Sequence, residues 1–368
     1  MRQEKDAKET KNQNLKPVKA KVASFGHETD EIIENFEKYA SSRTKLFKDL
    51  KKDVAGVDLA HIKPEDEQKL RAKYGDNLIN AFKADPKKQA QLANRSEQDI
   101  ENMVNMIKTT GTIAFQLSRL EMVDEMMRND KNWRDDLTGQ YLTNDELVAG
   151  DNGFVERAGK RQEKIMIAVR TLSEDARELA KAEYGKLNTD EEKEAWAKEN
   201  LGKKYKPGMS QEQIYQAYSS LKVNAYLKDL SQSVQEAAQK QIDFDKDERY
   251  DAISRAPKND VKDIIDKADH LTDQVIDKGV GHSKFFGKKQ KGTPDKRTLE
   301  EEAMSYMTAF PLEQMLANTQ STSSRALDDR SSLAMRKQRV EEIKAQRNEG
   351  WTKKTNAQFA PMRYGGRM

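Results

Sequence analysis

Apolar positions along this chain fall three and four residues apart far more often than two apart, the spacing that gathers side chains on one face of an α-helix. The most apolar example is 96–129, where Ile100, Met103, Ile107, Ala114, Leu117 and Leu120 share a face that Val123 and Met127 continue. Ser96, with Asp99 three residues on, supplies its N-cap. Thr109-Thr110-Gly111-Thr112 interrupts the stripe with weak helix formers, which predicts a kink or a close helix crossing there. A second segment, Gln211 to about Phe244, carries Ile214, Tyr218, Leu221, Leu227, Leu230, Val234 and Ile242 with no Gly or Pro between them. At ~1.5 Å per residue it predicts a rod of about 50 Å.

The remaining periodic segments are shorter. From Thr29 a stripe of Ile32, Ile33, Phe36, Tyr39, Leu46, Phe47 and Leu50 runs until Val54-Ala55-Gly56, where Gly can end a helix. Pro64, followed by Glu65, Asp66 and Glu67, opens the next helix. The pattern pauses at Gly75 and can resume through Ile79 and Phe82. Capping boxes stand at Thr143–Glu146, Thr189–Glu192, Ser210–Gln213 and Thr298–Glu301. The apolar run Ile165–Val169 has charged flanks that favour helix, ending near Tyr184-Gly185. Asn259–Lys278 is strongly amphipathic, with Val261, Ile265, Ala268 and Val275 inside. Strand signals are nearly absent, since nothing alternates with period two over five or more residues.

Composition sharpens this into a fold class. The hydrophobic and charged fractions are both 35%, against roughly 45–50% and about 25% for an ordinary globular domain. Mean hydropathy is −0.99. Such a chain suits long helices that each bury a narrow stripe. The expectation is an all-α protein, an elongated helical bundle or helical array with flexible basic termini. It divides into a disordered basic arm (1–25), a helical core (26–280), a basic loop (281–297), C-terminal helices (298–349) and an irregular tail (350–368). Cysteine is absent, which excludes disulfides, Cys-containing zinc sites and thiol catalysis. No run approaches the ~18 apolar residues of a membrane span, and the N-terminus lacks the apolar core of a signal peptide.

Charge is segregated. The net +3 is made of +4 in residues 1–25, +7 in residues 330–368 and −8 in between. Blocks of this kind mark interaction tails or solubilising ends.

Candidate chemistry is sparse. His27, His61, His270 and His282 share no metal-ligand spacing. Asp243-Phe-Asp245-Lys-Asp247 resembles the start of an EF-hand loop, but Glu248 stands where Gly must turn it and Ser254 where the bidentate Glu belongs. Gly281–Lys289 has one residue too many between its glycines for a P-loop, and Lys-Lys in place of Lys-Ser/Thr. That basic loop fits nucleic-acid or anionic-surface binding better. Lys284, Lys288, Lys289 and Lys291 surround Phe285 and Phe286. The second candidate is the C-terminal end, where Arg336, Lys337, Arg339, Arg347, Lys353, Lys354 and Arg363 interleave with Trp351, Phe359 and Tyr364. Aromatics with no helical stripe to join suit docking onto a partner. The methionines at 103, 106, 122, 126 and 127 read as core filling.

No catalytic constellation, cofactor or metal is expected. The expected function is a non-catalytic structural or assembly protein that self-associates through its helices and docks a protein partner by its C-terminal tail. Scaffolding and internal proteins of virions and phages share this physique in composition alone, so a virion or the cytoplasm is the expected setting. A nucleic-acid-binding accessory protein acting through 282–297 and the basic ends is the alternative. A secreted effector or an enzyme with a site assembled from distant residues is the third reading.

Overall fold

A computed structural model describes residues 2–84, 86–94, 96–246, 260–278, 341–342 and 344–345. Among these residues the protein is all-α: α1 (Arg2–Val54), α2 (Pro64–Tyr74), α3 (Asp76–Ala84), α4 (Pro86–Asn94), α5 (Glu97–Arg128), α6 (Asn144–Ala149), α7 (Phe154–Tyr184), α8 (Asp190–Leu201), α9 (Gln211–Lys246) and α10 (Asp260–Lys278). The helices pack as a bundle, α1 on α5, α5 on α7 and α7 on α9. The expected central helix and long rod are α5 and α9.

Local chemistry explains the boundaries. At α6 the Thr143 hydroxyl accepts from Glu146 N (3.2 Å) while the Glu146 carboxylate accepts from Thr143 N (2.7 Å). Thr189 and Glu192 repeat the exchange at α8 (3.1 and 3.2 Å), and Ser210 and Gln213 at α9 (3.3 and 2.8 Å). Each pair satisfies two backbone donors that a helix start leaves free. Gly75, at φ 89°, bonds its N–H to Arg71 O (2.8 Å) and turns the chain from α2 into α3. The end of α1 and the turn after it are covered from α4, where Gln89 Nε2 donates to Val54 O (2.7 Å) and Val57 O (2.6 Å).

One boundary differs from expectation. Residues 1–25 were expected to be a disordered arm, yet α1 is helical from Arg2, and Val18 and Phe25 are buried. Val18, Val22, Phe25, Thr29, Ile32 and Phe36 step by four and three, so the stripe of α1 begins eleven residues before Thr29. Thr29 hides within it because its hydroxyl, fully buried, bonds back to Phe25 O (2.8 Å) and Gly26 O (3.0 Å). A threonine satisfied in this way occupies an apolar position at little cost.

The chain forms two compact units. Within the described residues, one is built from Met1–Asn35 and Met122–Arg157, the other from Phe36–Glu121 and Ala158–Ala309. In the first, Phe25 meets Phe154 edge to face (centroids 6.0 Å apart), Lys21 donates to Asn144 (2.7 Å), and Arg157 pairs with Glu125 (3.1 Å). Met122, Met126 and Met127 are buried there as filling.

Among the described residues, the second unit holds three apolar clusters. The end of α1 packs with α2, α3, α4 and the start of α5 around Leu50, Phe82 and Ile100. The later part of α5 packs with α7, α9 and α10 around Leu117, Ile165, Leu230 and Ile265. Tyr184, Trp196, Tyr215 and Tyr218 join the end of α7 to α8 and the start of α9, with neighbouring rings 5.5–5.8 Å apart.

At Gly111 the expected interruption of α5 proves to be a close crossing, with the helix unbroken. A Cβ at Gly111 would overlap the Phe36 ring of α1 and lie 3.0 Å from Gln162 Nε2 of α7. The Thr110 hydroxyl, fully buried, bonds to Met106 O (2.9 Å) and Ile107 O (3.1 Å). Thr112 reaches across to Glu37 (3.0 Å). Small and self-satisfied residues let three helices approach at this point.

Candidate functional site

The residues expected to bind partners lie outside the described ones: Lys284, Phe285, Phe286, Lys288, Lys289 and Lys291 in the basic loop, and Arg336, Lys337, Arg339, Arg347, Trp351, Lys353, Lys354, Phe359, Arg363 and Tyr364 at the C-terminal end. His282 does as well. The three other histidines stand apart on exposed surfaces, His27 near Glu31 (3.6 Å), His61 against Asp58 (2.8 Å) and His270 against Gln274 (2.7 Å). Among the described residues no group of three or more His, Asp or Glu side chains could hold a metal ion. Asp243 and Asp245 belong to the helical backbone of α9, not to a loop.

What the fold does assemble is a polar cluster around Arg161 of α7, only 10% exposed. Its Nε and Nη2 grip Asp269 of α10 side-on (2.9 and 2.8 Å), Nη1 donates to Ser118 Oγ of α5 (2.6 Å), and Nη2 also reaches Glu121 (3.2 Å). Burial works against the charge, but the hydrogen bond and field of Asp269, with Glu121 adding to them, outweigh it and hold the guanidinium above its ordinary range. One turn along, Lys164 pairs with Asp273 (3.0 Å). Beside them on α10, the Tyr226 hydroxyl of α9 meets Thr272 Oγ1 (2.9 Å), and burial pushes that phenol up to about 12.

The chemistry of this cluster is adhesive. A guanidinium has five N–H donors, and four bonds already bind Arg161 to three side chains. Little is left to orient or polarise a substrate. Asp269 lies 108 residues from Arg161, and no spacing rule connects them, so the pair had no sequence signal.

A second ionic cluster fastens α2 to its neighbours. Glu67 accepts from Lys83 of α3 (2.8 Å) and from Arg71 (2.6 Å), which hold its carboxyl below the usual range. Asp53 of α1 accepts from Lys73 (2.8 Å) and the Tyr74 hydroxyl (2.6 Å), and these hydrogen bonds depress it likewise. Both clusters place opposite charges between helices, where they fix register.

The fold and these clusters define an all-α protein whose described polar side chains tie helices together. Comparison with protein-family models, curated proteins and solved structures finds no match for the chain.

Proposed function

We propose that this is a non-catalytic structural or assembly protein, associating with copies of itself through its helices and docking a protein partner through its basic, aromatic C-terminal end. The observation that carries the reading is the segregation of charge: residues 330–368 hold ten Lys and Arg against three acids, while residues 26–329 sum to −8. A basic end attached to an acidic body suits attraction between neighbouring copies or to an acidic partner. Two apolar side chains on the long helices, Leu179 of α7 and Ile242 of α9, stay nearly half exposed and give association an apolar component. A virion or a cytoplasmic assembly is the setting this reading favours.

Light scattering on size-separated protein, over a wide concentration range, tests it. The full chain should form species larger than a monomer, more so as concentration rises. Removing residues 330–368 should weaken docking without melting the remaining helices by circular dichroism. A chain that stays monomeric throughout sinks the proposal, and helicity that collapses with the tail makes that segment core instead of a docking end.

A further inference from the structure

Between α8 and α9 the chain reads Gly202-Lys-Lys-Tyr-Lys-Pro-Gly208, three lysines in four residues with no acid among them. This turn is anchored from beneath. Tyr205 and Met209, half-buried, pack against the cluster of Ala197, Leu201, Ile214, Tyr215 and Tyr218, and the Tyr205 hydroxyl hydrogen-bonds Glu194 of α8. Backbone bonds from Tyr205 N to Gly202 O (3.1 Å) and from Met209 N to Lys206 O (3.2 Å) close two successive turns. Gly208, at φ 83°, permits the second.

With the aromatic and sulfur side chains turned inward, Lys203, Lys204 and Lys206 are all exposed. None of the three has an ion-pair partner among the described residues, unlike Lys198 beside them, which pairs with Glu194 (2.9 Å). Lys203 and Lys204 follow the end of α8, where a cation gains from the helix dipole. Lys206 precedes α9, where it gains nothing of the kind. Helix stabilisation therefore does not account for the group.

We infer that the Lys203–Lys206 turn is a docking point for the phosphodiester backbone of a nucleic acid, read by charge and not by sequence. Three ammonium groups on a pinned turn act as point charges for successive phosphates. A membrane surface fits less well. Adhesion to anionic lipid draws on clusters of about four to eight cations or on inserted apolar side chains, and this turn packs its Tyr and Met, half-buried, against the apolar cluster beneath it. The inference does not depend on self-association, and it adds a site within the helical body to the basic segments already described.

Fluorescence anisotropy with random-sequence duplex DNA and, separately, duplex RNA, titrated at several salt concentrations, tests it on the full chain. Each phosphate neutralised on a duplex contributes about −0.9 to the slope of log affinity against log salt. The triple variant K203A/K204A/K206A should bind more weakly, with a slope shallower by about 2–3. The charge-preserving K203R/K204R/K206R should keep the wild-type slope, and circular dichroism should confirm that both variants fold. Either duplex behaving so supports the inference. Equal slopes for wild type and the alanine variant overturn it, as does no binding at low salt. It is also overturned if the alanine variant loses binding only to phosphatidylserine vesicles while duplex binding is unchanged.

Discussion

Replacing Gly111 with alanine sets two effects against each other. Alanine is the better helix former by about 1 kcal/mol, but its methyl group would enter the space of the Phe36 ring, which is itself buried. Overpacking a filled core costs about 1–3 kcal/mol, so G111A should lower stability by up to about 2 kcal/mol in urea unfolding. A raised midpoint would mean that the ring yields freely. Tyr226 carries part of the alkaline pH dependence. Its folded-state pKa of about 12 lies above the ordinary phenol value, so the folded chain keeps a proton that the unfolded chain gives up. Its contribution is intact below about pH 10 and is lost as pH rises towards 12. Thermal unfolding across that window should fall less steeply for Tyr226→Phe than for wild type. Part of the fall should persist, because burial and Asp53 also push Tyr74 up to about 12. At this scale the sequence was half legible. It marked Gly111 as a break in the stripe, but which ring would fill the gap depends on Phe36, seventy-five residues earlier in the chain.

Among the elements, α10 is held by polar ties as well as by its apolar face. Its inner face buries Val261, Ile265 and Ala268, and Arg161, Lys164 and Tyr226 hold its flanks from α7 and α9. Arg161→Met keeps much of the packing volume and leaves Asp269 and Glu121 facing one another without their cation. Loss of one partner from such a cluster costs about 2 kcal/mol when the carboxylates keep some access to water. Amide exchange should therefore accelerate by more than tenfold across 260–278 while α5 is little changed, and uniform acceleration along the chain would contradict the local role. The helices themselves were largely legible, because caps and stripes are local: the Thr143, Thr189 and Ser210 boxes all form, and α5, α9 and α10 begin within a residue or two of their signals. The start of α1 was not. Val18, Val22 and Phe25, set among seven Lys and Arg in residues 1–25, are a thin stripe, and they become meaningful only against residues such as Phe154 that lie far along the chain.

For the whole molecule, the balance of opposite charges matters more than any one site. A net charge of +3 conceals a basic C-terminal end of +7, so proteolytic loss of that end would turn a cationic protein into an anionic one. The fold class was legible at this scale because mean hydropathy and helical spacing are properties of the entire chain. The composition of the two units was not, since each draws on separated stretches. That interleaving has a consequence for biosynthesis. Met1–Asn35 leaves the ribosome ahead of its partner stretch Met122–Arg157, which follows only after Phe36–Glu121 has been made. At about 5–20 residues per second that delay is on the order of 4–17 s. For those seconds Phe25 has no Phe154 to cover it, and the growing chain offers this apolar stripe to whatever chaperone or sister chain is near.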